Sequence, residues 1–496
     1  MNRTAALLAV LAVAIVLPAE GLERLPAILH VHSDLSTGDF SLEQLAAMAE
    51  RQGIGALLVT ENYLLRVEYG LPPFRALTRV VREERSVLDA GVDRYLARVE
   101  RARASSPRVL IVAGVEVLPH YFWSGSPLAL DMTVHNTQKN LLVFGLNDAA
   151  TLRALPVTGN PAAGRYGWAS VLDALPGLLL LPGVALLARR RRSLRLMGRV
   201  VVVVTRRRWL AGALLGGVGL VALARAWPFT LDPYPPYRDI GLTPHQDLID
   251  YVERAGGVTV WSFPEARDEG QRWIGPVRVG WRTPPNPDDL LRTSRYTAFG
   301  AVYEDTTHVE RPGGGWDRLL GQFASGDLGQ PAWGVGESGF HGFSAGKDLG
   351  GVRTVFLVED RSERAVLAAL KSGRMYAVQR AGETELVLAG FAARAGAASA
   401  TSGETLRVAA ATPVEVSVDV ETTGGPARDV RVTLVKNGVV VSVWTGPAPI
   451  RAVYRDVFDG AAAFYRLDVR GPGRLLSNPI FVKRAGRASA EGEASR

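Results

Sequence analysis

Residues 29–45 read LHVHSDLSTGDFSLEQL. The apolar run Ala27–Val31 has strand length, and Ser41–Gln52 carries the spacing of an amphipathic helix. A strand that passes through a polar loop into a helix is the opening unit of a β/α alternation. His30 and His32 stand two residues apart, so on a regular strand both imidazoles project from one face at its C-terminal end. Two imidazoles on one face can hold one metal ion, and the C-terminal ends of parallel barrel strands are where such folds collect functional groups. A His-x-His pair is usually incidental, but here it closes the first apolar strand of a chain with only seven histidines.

The alternation continues outward from this unit. Ile54–Thr60, Arg108–Val112 and Leu141–Leu146 read as further strands. After an apolar interruption come helix His245–Arg254, strand Val258–Ser262, helix Asp288–Arg292 and strand Thr297–Tyr303. Helix Trp316–Ala324, strand Thr354–Val358 and helix Ser362–Lys371 follow. This predicts an α/β fold with a parallel sheet or barrel. From Thr384 the texture changes to period-two alternation, as in VEVSVDVE and DVRVTLVKNGVVVSVW, with no helical stretch. That predicts an all-β sandwich, and Asn437-Gly438 between valine-rich runs predicts a type I′ hairpin.

The chain has no cysteine, which excludes disulfides, thiolate zinc sites and cysteine nucleophiles. Any metal must therefore take His, Asp or Glu. The net charge is +8, yet Arg189–Arg208 alone holds nine arginines and no acidic residue; +8 less nine leaves about −1 elsewhere. The basicity is local, and nucleic acid is not expected as a major partner. The arginines lie between apolar runs Ala169–Ala188 and Trp209–Ala224, near the roughly 20 residues a membrane-crossing helix needs. Trp168, Trp209 and Trp227 mark their ends, as interfacial aromatics do. The positive-inside rule places the arginine loop in the cytoplasm. A further run, Ala5–Leu17 after Arg3, reads as an anchor, with a removed signal segment as the alternative. The expected arrangement is multi-pass in a bacterial-type cytoplasmic membrane, with the bilayer as partner and both soluble parts on the extracytoplasmic (periplasmic) side. Two buried core helices are the competing reading, which Asp173, Pro176 and Pro182 favour and the arginines oppose.

Residues from about 27 to 378 resemble the PHP (polymerase and histidinol phosphatase) family, whose first motif is His-x-His-Ser before a small turn. VLIVAGVEV places Glu116 at the acid of the family's Gly-x-Glu strand end, and VGESGFHG places His341 at the histidine of its last motif. TVFLVEDRSERAVLAALKSGRMYAVQ and SNPIFV resemble the closing strand and helix and the appended β-domain of its extracellular-type subgroup. Five residues at four sites depart from the family pattern. Glu61-Asn62 stands for Asp-His, Asn140 for a histidine, Phe263 for the histidine before Pro264, and Gly339 for the aspartate before His341.

The resemblance implies a PHP-type distorted (β/α) barrel; the apolar runs add an inserted transmembrane helical hairpin, and the period-two stretch a C-terminal β-sandwich. The expected segments are anchor or signal 1–22, first barrel half 23–165, hairpin 166–230, second half 231–380, sandwich 381–484 and disordered tail 485–496. It also implies metal-dependent hydrolysis of a small phosphoester, nucleotide or nucleic-acid end. The implied ligands are His30, His32, Glu61, Glu116 and His341, with Glu116 and Glu61 catalytic, around one or two zinc, manganese or iron ions. His120, His135, Glu265 and Glu337 are candidate replacements for the lost ligands, ordinary structural or solvated roles being the alternative for each. The competing function is a catalytically inactive PHP-like binding or scaffolding module without metal.

Overall fold

Strand Glu23–Val31 lies inside a sheet, paired on both sides, with Leu25 and Ala27–Val31 all buried. In this computed structural model, residues 22–485 are described apart from 73, 190, 207, 306 and 426–427. The anchor expected at Ala5–Leu17 and the tail from 486 onward lie outside the described residues. The chain is mixed α/β.

Glu23–Val31 pairs in parallel with Ala56–Val59, which in turn pairs in parallel with Leu110–Val112. Past Thr60 and Ala113 these two stretches continue as Glu61–Asn62 and Gly114–Val117, which pair in a second sheet. That sheet runs on through Leu141–Phe144, Val258–Trp261, Ala298–Val302 and Trp333–Gly336. An isolated parallel bridge from Val31 to Phe340 then brings the end of the last strand to the first. One expectation is corrected: Leu141–Phe144 is antiparallel to both neighbours, so the sheet is not uniformly parallel. The segment before it is a hairpin, not a helix, and antiparallel neighbours need no helical crossover.

Helix Leu42–Arg51 buries Leu42, Leu45, Ala46 and Ala49, and Ser41 caps it in a capping box with Gln44. Hairpin strands Phe122–Ser126 and Asp131–His135 join Asp268–Ile274 and Val277–Thr283 in a separate four-stranded sheet. At the C-terminal side, Met375–Arg380 pairs with both Val352–Val358 and Gly473–Ser477. One sheet of eleven strands therefore continues from Leu110–Val112 into the β-rich C-terminal region. Asn437 and Gly438 have φ of 50° and 82° between Lys436 and Val439, the two positive values a type I′ turn requires.

Helices Ser170–Ala188 and Trp209–Ala226 are long and apolar enough to cross a membrane, and most of their surface is exposed. They approach closely: a Cβ on Gly183 would lie 2.5 Å from the Gly216 nitrogen. Small residues permit such contact between apolar helices. The arginine-rich stretch read as a loop instead forms an antiparallel hairpin, Arg191–Met197 with Val200–Arg206. Its run of β-branched valines favours a strand. Below the helices the chain is gathered at a neck, where Arg165 and Leu231 exchange backbone hydrogen bonds of 2.9 and 2.8 Å.

Candidate metal centre

His30 has a φ of 74°, a left-handed conformation seldom adopted by a residue with a side chain. The pairing with Ala56–Val59 shifts register between Leu29 and Val31, so the strand bulges at this histidine. Simple alternation is therefore not what joins the two rings. The bulge re-aims His30, His32 follows just past the strand, and their Nε2 atoms come within 2.9 Å. Backbone hydrogen bonds hold the distorted stretch: His32 N donates to Phe340 O at 2.9 Å and Phe340 N to His30 O at 3.1 Å.

Glu116 arrives from the end of Gly114–Val117. Its Oε1 lies 3.4 Å from His30 Nε2 and its Oε2 3.4 Å from His32 Nε2. His30, His32 and Glu116 each offer one donor atom within 4.8 Å of the others, and all three are buried. Asn140 donates to Glu116 Oε1 at 2.7 Å. The Asn62 amide nitrogen lies 3.2 Å from His32 Nδ1 and donates to Thr37 Oγ1 at 2.8 Å. His341 stacks on His32 with ring centroids 4.1 Å apart, and its Nδ1 is 2.9 Å from Thr37 Oγ1.

Two glutamates act at one remove. Glu337 Oε1 sits 2.7 Å from His30 Nδ1 and accepts from Ser262 Oγ at 2.6 Å, while Oε2 accepts from Phe263 N at 3.0 Å. A carboxylate on the far nitrogen of a ligating imidazole fixes its tautomer and orientation. Glu61 turns toward the loop after His32 instead. Its Oε1 accepts from Ser33 N at 2.9 Å and from the Ser33 hydroxyl, and its Oε2 from the Ser36 hydroxyl. It anchors that loop and is not one of the three converging donors.

The remaining candidates have partners outside the cluster. His120 bonds Thr158 Oγ1 at 2.8 Å and Arg238 O at 3.2 Å. His135 bonds Ser124 Oγ at 2.7 Å and stacks on Phe122. Glu265 accepts from the backbone of His308 and Val309 at 2.7 and 3.1 Å. Sequence reasoning missed Thr37 and Ser262 as partners of the site. Ser262 follows Trp261 at a strand end, the one signal that could have marked it.

Burial opposes charge on His30, but Glu116 and Glu337 outweigh it and raise the imidazole to about 9. Burial, with His30, His341 and Lys347 nearby, holds His32 well below its ordinary value despite Glu116. Burial also works against the Glu116 charge, and His30, His32 and Asn140 overcome it, keeping the carboxylate ionised. Glu61 is pushed up to about 7 by burial, against the pull of its serine partners and Arg98. Two imidazoles and a carboxylate suit zinc, manganese or iron in a nitrogen-and-oxygen shell. A tetrahedral ion with ligand bonds of about 2.1 Å separates neighbouring donors by about 3.4 Å. The His–Glu116 separations, one to each carboxylate oxygen, are 3.4 Å, while the two Nε2 atoms at 2.9 Å are closer than that spacing; the donor types and their convergence within 4.8 Å suit a divalent ion.

No family model and no curated protein matches the chain. Among solved structures it is similar to a two-domain protein from Bacteroides vulgatus containing a predicted PHP-like metal-dependent phosphoesterase. That likeness has 12% identity, covers 94% of this chain and 96% of the other, and has a TM-score of 0.37. It is also similar to a candidate metal-dependent phosphoesterase from Bifidobacterium adolescentis, with 14% identity, 70% and 97% of the chains covered, and a TM-score of 0.29.

Proposed function

We propose that the chain is a membrane-anchored, metal-dependent hydrolase of the PHP type acting on a phosphoester. The observation that carries this is the convergence of one atom each from His30, His32 and Glu116 within 4.8 Å in a buried site. Glu116 comes from a different strand, far in sequence from the pair His30 and His32, and each stands at or near a strand end. The side-by-side pairing from Glu23–Val31 round to Trp333–Gly336, with the Val31–Phe340 bridge, supports reading the two sheets as a distorted barrel. The segments 23–165 and 231–380 are its halves, 166–230 its insertion and 381–484 the sandwich.

His30, His32 and Glu116 would hold the ion, and His341, stacked on His32 with its Nδ1 held by Thr37, would position the His32 ring. A divalent ion there supplies positive charge beside a phosphoryl oxygen and acidifies water. The chain's own residues do the positioning. Glu337 grips His30 Nδ1, which leaves Nε2 facing Glu116. Glu61 fixes the Ser33–Ser36 loop beside the site. Lys347, whose ammonium lies 5.2 Å from the Phe263 ring centre, 2.8 Å from Ser338 O and 3.5 Å from Glu304 Oε2, is the nearby cation that would meet substrate charge, in competition with Glu304.

Metal analysis of the purified full chain, with a general phosphodiester substrate, tests the proposal. Bound divalent metal and hydrolysis are expected, and both vanish in His30→Ala/His32→Ala while membrane insertion persists. Absence of metal from the wild-type chain overturns it. One observation favours a second reading, a non-catalytic binding module. Asn62, Asn140 and Phe263, which stand where the family carries ligands, are engaged in internal contacts with His32, Glu116 and His30. That reading forecasts no metal and no effect of the double substitution.

For the membrane we propose that Arg189–Arg208 lies on the cytoplasmic side and both soluble parts on the other. The support is a stretch of nine arginines between two exposed apolar helices. A reporter fused near Gly198 should behave as cytoplasmic; extracytoplasmic activity reverses the assignment.

A further inference from the structure

Where the apolar helices meet the soluble body there is a cleft of about 390 Å³ that the metal centre does not use. One wall is the stretch carrying Arg66, Arg75 and Arg79; the other is the end of Trp209–Ala226 with Trp227 and the returning chain through Asp232. Four arginines line it, Arg225 being the fourth, against the carboxylates of Glu68, Asp173 and Asp232.

The guanidiniums are only partly engaged. Arg66 Nη2 donates to Glu68 at 2.9 Å, and Arg79 Nη1 lies 3.7 Å from the same carboxylate. Arg75 rests 3.8 Å over the Tyr237 ring, and Arg225 donates to the carbonyls of Leu77 and Arg79 at 3.3 and 2.7 Å. Among the described residues, the buried Nε atoms of Arg66 and Arg75 have no hydrogen-bond partner. A buried donor without an acceptor is costly, and guanidinium forks bind phosphate oxygens especially well. Burial raises Asp232 to about 7, so the carboxylates only partly offset the arginines.

Position identifies the source of the phosphate. The helices that leave the cleft are mostly exposed, so they need an apolar surrounding. Trp168 and Trp227 at their ends are 88% and 71% exposed, and such rings favour the headgroup level of a bilayer. We propose that this cleft binds the phosphate of a lipid headgroup from the bilayer around the helices. The proposal rests on the membrane reading above.

The test uses the full chain in a neutral detergent, with dihexanoyl phosphatidic acid as probe and tryptophan fluorescence and melting temperature as readouts. Saturable binding is expected, weakened by about tenfold or more in Arg66→Gln/Arg75→Gln and by less in Arg66→Lys/Arg75→Lys, which keeps the charge and loses the fork. The melting temperature without lipid reports whether each variant folds. If the glutamine pair does not, Arg79→Gln, at a side chain 30% exposed, takes its place with the same expectation. Unchanged binding in the folded glutamine variant overturns the proposal, as does equal binding of uncharged dihexanoyl glycerol. Equal binding of inorganic phosphate overturns the lipid assignment and leaves a free-anion site. Extraction with alkaline carbonate is read separately. A chain released from membranes defeats the membrane reading, whereas one that stays and binds no lipid defeats the cleft alone.

Discussion

Replacing Glu337 by glutamine should weaken metal binding without touching any atom that meets the ion. The side chain is fully buried, and its two oxygens serve three donors: His30 Nδ1 at 2.7 Å, Ser262 Oγ at 2.6 Å and Phe263 N at 3.0 Å. Glutamine keeps the shape but offers one oxygen, so at least one donor loses its acceptor. A lost outer partner of a ligating histidine costs 10–100-fold in metal affinity, or about 1.4–2.7 kcal/mol. The stranded donor costs a further ~1–3 kcal/mol of fold stability, which must be separated from the first effect. Metal affinity is measured by competition with a chromophoric chelator, and the urea midpoint of the metal-free variant measures stability. Glu337→Gln should lower both. If affinity stays at the wild-type value while the midpoint falls, Glu337 is a structural carboxylate and the argument that it acts through His30 is refuted.

Burial drives His245 down to about 3 from 6.5, where its ring stacks on Trp261. The unfolded chain therefore takes up this proton first, and stability falls by about 1.4 kcal/mol per pH unit below the unfolded value until the folded value is reached. Urea midpoints should drop across that interval in the wild type and less steeply in His245→Gln; equal slopes would exclude His245 as the source. Asp317 makes a two-pronged ion pair with buried Arg466, at 2.6 and 2.7 Å, between the Gly315–Ser325 helix and the Ala462–Gly471 strand. Asp317→Ala strands the guanidinium and should cost about 3–5 kcal/mol in urea unfolding, whereas Asp317→Leu/Arg466→Met should cost much less.

The His30–His32 pair is legible in the sequence because it sits where an apolar strand run gives way to the polar Ser33–Thr37 loop, whereas Glu116, followed by Val117 and Leu118, is reached only through the resemblance carried by VLIVAGVEV. The means by which the two rings meet is not legible. A backbone φ of 74° at His30 leaves no mark in LHVHS, and regular alternation reaches the same pair by the wrong geometry. Glu61 shows the opposite failure. Its place at a strand end suggests a ligand, yet two serines close to His32 in sequence capture its oxygens, and their reach depends on the loop's path. Long-range pairing escapes sequence reading for a related reason. Asp131–His135 and Val277–Thr283 pair in parallel across a wide sequence separation, and nothing local in either strand names its partner. The arginine-rich hairpin was hidden by its charge, although its valine run carried the strand preference.

The neck at Arg165 and Leu231 also has a practical side. The two residues exchange both backbone hydrogen bonds as an antiparallel pair, which sets their Cα atoms about 5.5 Å apart. A two-residue turn such as Asn-Gly spans that gap in a hairpin. Residues 166–230 can therefore be excised and the ends rejoined with two residues, leaving the strand pairings on either side in register. Such a chain, started at Leu22 so that the apolar run Ala5–Leu17 is left out as well, would lack all three apolar runs, and in it the histidine cluster can be crystallised, loaded and assayed without detergent.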